Sequence, residues 1–101
     1  MEHRESMTAA LLKLVNADDE VTVEEANAAW RFAREQGLGP EALILLAGVA
    51  EEDILAGLRQ VPREKVAIFM ASALEVCMVD QEMHPEELRL FTRFATAVGG
   101  T

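Results

Sequence analysis

The chain contains an internal repeat, and this repeat constrains its fold more than any other feature. Shifting the sequence against itself by 62 positions, without a gap, aligns Asp18 with Asp80 and continues into an Arg-Phe-Ala tripeptide present in both copies. Self-similarity of this kind indicates two copies of one supersecondary unit. We therefore expect two helix, acidic loop, helix units, at about 5–37 and 62–99, related by a pseudo-twofold axis.

Apolar residues recur at intervals of three and four residues, which is typical of amphipathic helices. No segment shows the alternation of a β-strand. Proline and glycine positions divide the pattern into six predicted helices, at about 5–17, 23–36, 41–47, 51–60, 62–78 and 85–98. The predicted fold is an all-α bundle with two short helices inserted between the repeats.

Two helices carry more specific expectations. The fifth has few polar positions, so we expect it to be the most buried element. The second has a predicted inward stripe and a glycine that favours a left-handed stop at its end. These positions are Val23, Ala26, Trp30 and Ala33 for the stripe and Gly37 for the stop.

The length of 101 residues suits one domain, covering 1–101. The net charge of −9 repels nucleic acid phosphates and anionic lipid headgroups, so neither is an expected partner. The same charge favours a cation or a basic protein surface.

Cys77 is the only cysteine, so no intrachain disulfide is expected. A reducing cytoplasmic location is predicted, because the start of the chain lacks a signal-peptide pattern and no apolar run approaches about 20 residues.

The two acidic loops concentrate the charge. Residues 18–25 and 80–87 hold nine of the eighteen acids and none of the nine bases. Helix capping explains some of them: Thr22 and Glu25 have the spacing of a capping box, and acids in a first turn lie at the positive end of the helix dipole.

Capping does not explain the acids that precede the helix starts, which lie at the negative end of the previous helix. A hard divalent cation such as calcium prefers several oxygen ligands. An Asp, a Glu two residues on and a Glu seven residues on could supply them in each repeat. The candidate ligands are Asp18, Glu20, Glu25, Asp80, Glu82 and Glu87. The loops lack the glycine and final glutamate of an EF-hand, and capping alone remains the alternative interpretation.

The loop sequences Asp-Asp-Glu-Val-Thr-Val-Glu-Glu (18–25) and Asp-Gln-Glu-Met-His-Pro-Glu-Glu (80–87) resemble the twin acidic signatures of the tellurite-resistance TerB-like helical family. Asp19 and Gln81 stand where that family usually has glycine. The resemblance implies a minimal or divergent member of a bacterial all-helical family linked to tellurite and phage-stress resistance. It implies divalent-cation binding by the acidic pair and no established catalytic activity.

The sequence offers no constellation typical of an enzyme. His3 lies near the start of the chain, His84 lies beside a helix start, and Cys77 falls on an apolar helix where a buried, inert thiol is expected. A non-catalytic binding domain is therefore predicted. The competing hypothesis is an interaction module that binds a basic partner, or a homo-oligomer formed through a spare apolar stripe. That stripe would consist of Leu43, Leu46 and Val49.

Overall fold

A computed structural model describes residues 1–17, 22–78 and 84–99 of the chain. These residues form six α-helices and no strand, which confirms the predicted all-α fold. The helices are α1 (His3–Val15), α2 (Val23–Glu35), α3 (Pro40–Leu46), α4 (Glu51–Leu58), α5 (Arg63–Met78) and α6 (Pro85–Gly99). No helix in the described ranges is long and apolar enough to cross a membrane.

Local sequence signals account for the ends of these helices. The Thr22 Oγ1 accepts a hydrogen bond from the Glu25 N–H at 3.1 Å, which caps the start of α2. Gly37 has a φ of +80°, so the predicted left-handed stop after α2 is confirmed. Pro40 and Pro85 are the first residues of α3 and α6, where the missing N–H has no helical partner to lose.

The buried faces of α1 and α5 share four positions of the repeat. At these positions, residues of α1 that are at most 4% exposed are matched, 62 positions later, by residues of α5 that are at most 1% exposed. The matched pairs are Met7 with Phe69, Leu11 with Ala73, Leu14 with Val76, and Val15 with Cys77. Helices α1 and α5 also pack against each other, so the two equivalent helices meet in the centre of the fold.

The prediction that the fifth helix is the most buried element is wrong, because α1 holds that position. Helix α1 packs against all five other helices, whereas α5 leaves Ile68, Leu74 and Met78 between 45% and 55% exposed. The cause is the inserted pair, since α3 and α4 cover a second face of α1. Helix α4 lies so close there that a Cβ added to Gly57 would fall 1.7 Å from the Ser6 Oγ.

The predicted inward stripe of α2 is also wrong in most of its members. Val23 is 71% exposed, Ala26 is exposed and Trp30 is half-buried, and only Ala33 of the four is buried. The helix instead turns Phe32 inward, where its ring meets the Phe69 ring edge to face with centroids 6.4 Å apart. The buried stripe is Glu25, Ala28, Ala29, Phe32 and Ala33.

The apolar stripe suggested for self-association is not spare. Leu46 is 5% exposed and belongs to the core, and Val49 packs against that core. Leu43 is half-buried. The exposed apolar residues of α3 are its neighbours Ile44 and Leu45, at 77% and 76%.

Candidate functional site

Two of the six predicted ligands lie in the described part of the chain. Glu25 and Glu87 are each the third residue of their helix, α2 and α6, and they are equivalent under the repeat. The other four predicted ligands lie outside the described residues. These are Asp18, Glu20, Asp80 and Glu82.

Both described carboxylates are buried, at 2% exposure for Glu25 and 3% for Glu87. The helical period explains this, because each glutamate is in register with the apolar residues that face the core. On α6 the buried stripe runs from Glu87 through Leu90 to Phe94. Removing an ionised carboxylate from water is costly unless polar groups or opposite charges compensate it. Two equivalent buried glutamates in one small domain therefore mark this region as more than a solvated helix start.

Both carboxylates act on one buried thiol. The pKa of Cys77 is raised from 9.0 to about 12, first by burial and then by the negative charges of Glu87 and Glu25. A side-chain hydrogen bond between Cys77 and Glu87 raises it further. A charge raises a pKa in this way only at short range. Glu25 and Glu87 therefore both lie near the end of α5 that carries Cys77.

Helix starts supply part of the compensation that the buried carboxylates need. The His84 N–H donates to the Glu87 Oε1 at 3.4 Å, and the His84 Nδ1 accepts from the Glu86 N–H at 3.2 Å. His84 is therefore a capping residue of α6. Both glutamates also lie in a first turn, where the helix dipole favours negative charge.

The chemistry of this cluster is acidic and apolar. At neutral pH the Cys77 thiol keeps its proton, so it is neither a thiolate nucleophile nor a thiolate ligand. Within the described ranges no group of three or more His, Cys, Asp or Glu side chains is placed to hold a metal ion. Two carboxylates alone do not complete the shell of a hard cation, and further oxygens would have to come from 18–20 and 80–82.

Sequence reasoning missed the proximity of Cys77 to both acids. The repeat gives no signal for it, because the residue equivalent to Cys77 is Val15.

A second missed feature is an ionic network at the start of α6. The Arg89 guanidinium binds the carboxylates of Glu86 and Glu51, and Arg93 binds Glu51 as well. This network ties α6 to α4, which belongs to the inserted pair.

Comparison with known proteins identifies no relative. No protein-family model, no curated protein and no solved structure matches this chain. The resemblance to the TerB-like family therefore rests on the residues of the two acidic loops.

Proposed function

We propose that this chain is a non-catalytic, TerB-like binding domain that holds a divalent cation with acids from both repeats. The proposed ligands are Asp18, Glu20, Glu25, Asp80, Glu82 and Glu87. The proposal includes a cytoplasmic, bacterial setting and a role in stress resistance of the tellurite type, as the family resemblance implies.

The convergence of Glu25 and Glu87 on Cys77 carries this proposal. Two buried carboxylates that both raise the pKa of one thiol contribute to a shared negative field. A cation bound near them would neutralise that field and offset the cost of burying the two charges. Carboxylate oxygens are the ligands that calcium prefers, so the available side chains fit a hard cation better than a soft one.

Thermal unfolding with and without calcium tests the proposal. A ligand that binds only the folded state stabilises it by about 2.7 kcal/mol at a hundred times its Kd. We expect millimolar calcium chloride to raise the Tm. Sodium chloride of equal ionic strength should give a lower Tm than calcium chloride does. Glu25→Gln and Glu87→Gln should each abolish the calcium-dependent rise, and Asp18→Asn and Asp80→Asn should do the same.

Glu41→Gln is the matched control, because Glu41 is an exposed acid in the first turn of α3, outside both acidic loops. It removes the same charge and should keep the calcium response. If calcium has no effect on the parent and the substitutions raise its Tm, the acids only cap helices and repel each other. That result would refute the cation site.

The second candidate function is an interaction module for a basic partner. A groove formed by α1, α3 and α4, whose charged side chains are the carboxylates of Glu5 and Asp53, favours it. This function would give binding that weakens with salt and does not respond to calcium.

A further inference from the structure

A groove of about 530 Å³ lies between the start of α1 and the inserted helices α3 and α4. Its apolar lining includes Leu45, Leu46, Val49 and Ala56. Leu46 is buried in the core, whereas Leu45 is 76% exposed. The groove therefore has an apolar base joined to the core and an apolar wall open to solvent.

The close contact between α1 and α4 lies beside the groove, which Gly57 lines. Gly57 has no Cβ, so α4 lies directly against Ser6 of α1. Helix α3 has only seven residues, from Pro40 to Leu46, and its last two residues line the groove. Of these two side chains, Leu46 is buried and Leu45 is exposed.

The charged side chains that line the groove are acidic. They are those of Glu5 and Asp53, and no lysine or arginine lines it; the α-amino group of Met1 is the positive charge among the lining residues. Asp53 is exposed and has no ion-pair partner within the described ranges. An acidic carboxylate without a partner beside an apolar base is suited to a ligand with an apolar face and basic flanks.

We propose that this groove binds an amphipathic helical segment of a partner protein, with apolar residues at positions i, i+3, i+4 and i+7 and lysine or arginine beside them. Helix-in-groove recognition uses this spacing. A nucleic acid or an anionic membrane would be repelled by the acidic lining and by the net charge of −9. A second copy of the chain would bring the same charge, so it is disfavoured as the occupant.

This proposal rests on the second candidate function and is independent of the proposed cation site. The groove includes Glu5, near the start of α1, whereas Glu25 follows the other end of that helix. Ten residues of helix separate Glu5 from Val15, which corresponds to about 15 Å. Of the proposed cation ligands in the described ranges, neither Glu25 nor Glu87 lines the groove, so substitutions in the groove and substitutions of these ligands test the two functions separately.

Selection from a display library of helix-forming 15-residue peptides tests the inference. The library would randomise each position among Leu, Ala, Lys, Glu and Gln, so that basic and acidic peptides compete. We expect the parent protein to enrich basic peptides with a leucine stripe. Their affinity, measured by fluorescence anisotropy on the labelled peptide, should fall as salt rises.

Two neighbouring residues of α3 provide a matched pair of variants. Leu45 and Ile44 are equally exposed, but only Leu45 lines the groove. Leu45→Asp should weaken peptide binding at least about tenfold, because it places a charge against the buried apolar face of the ligand. Ile44→Asp should change it less than about twofold. Unchanged helicity and Tm in both variants would show that each still folds.

Two neighbouring acids of α4 provide the corresponding electrostatic pair. Asp53 lines the groove and Glu52, also exposed, does not. Asp53→Lys should weaken binding at low salt several-fold more than Glu52→Lys. Equal effects within either pair, enrichment of acidic peptides, or no enrichment would overturn the proposal. So would sedimentation showing a dimer that Leu45→Asp dissociates, because the groove would then be an interface between copies of this chain.

Discussion

Glu25 and Glu87 occupy the same position in α2 and α6, 62 residues apart, and both raise the pKa of the Cys77 thiol. Helical register buries each of them with the apolar stripe of its helix. The duplication supplies two equivalent buried carboxylates, and the packing of α2 and α6 against α5 brings both near one residue of the core. This arrangement makes Cys77 a reporter of the site, whether or not a cation is bound there.

Removing either carboxylate charge is expected to lower the pKa of Cys77 from about 12. Glu87→Gln should lower the pKa more than Glu25→Gln does. The reason is that Glu87 exerts the larger charge effect and also hydrogen-bonds to the thiol. Thiolate absorbance near 240 nm, followed from pH 8 upward, measures the shift. Glu24→Gln removes an exposed acid of the same first turn and should leave the titration unchanged. Identical curves for all four proteins would contradict the shared field.

Cys77 is also expected to make stability fall at alkaline pH. The folded pKa is raised above the ordinary value of 9.0, so the folded thiol holds its proton longer than the unfolded one. Its contribution is fully present below about pH 9 and is lost as the pH rises toward 12. Urea unfolding at several pH values between 8 and 11 should give a steeper decline for the parent than for Cys77→Ala. Parallel declines would show that Cys77 does not contribute.

The helical architecture was predictable from the repeat and from local signals, because helices and their ends depend on apolar spacing, capping residues, proline and glycine. Thr22, Gly37 and Pro85 act locally, and each performs the role that its type and position predict. Such signals survive in any tertiary context. They explain why six helices and their approximate bounds were predictable.

The burial of particular faces was not predictable in the same way. The fifth helix is apolar on most of its circumference, so its sequence does not say which side meets the core, and Ile68 proved exposed. In α2 the choice between Trp30 and Phe32 depends on the ring of Phe69, which lies 37 residues further along the chain than Phe32. The proximity of Glu25 and Glu87 to Cys77 likewise depends on packing between helices. Long-range contacts determine these features.

The orientation of α5 is expected to appear in the stability of adjacent variants. Phe69 is fully buried against Phe32, whereas Ile68 is 51% exposed. Phe69→Ala should lower the free energy of unfolding by about 3–5 kcal/mol, the usual cost of removing a core phenylalanine. Ile68→Ala should cost less than about 1 kcal/mol, since much of its side chain already contacts water. Urea unfolding measures both, and similar losses would mean that α5 has a different rotation.

The contact between α1 and α4 is expected to exclude any side chain at position 57. A Cβ there would lie 1.7 Å from the Ser6 Oγ and 2.7 Å from the Ser6 Cβ, so Gly57→Ala must force the two helices apart. Overpacking of this kind typically costs about 1–3 kcal/mol, which outweighs the gain in helix propensity from alanine. Removing the hydroxyl in the double variant Gly57→Ala with Ser6→Ala should restore part of the loss, because the shortest contact disappears and the Cβ contact remains. The double-mutant cycle measures this coupling directly.

Gly48→Ala is the control. A Cβ at Gly48 would meet nothing within 4 Å, and φ there is not positive. The free energy of unfolding should therefore stay constant or rise by about 0.4–1 kcal/mol. Equal behaviour of the two glycine variants, or no recovery in the double variant, would show that α4 is not held against Ser6.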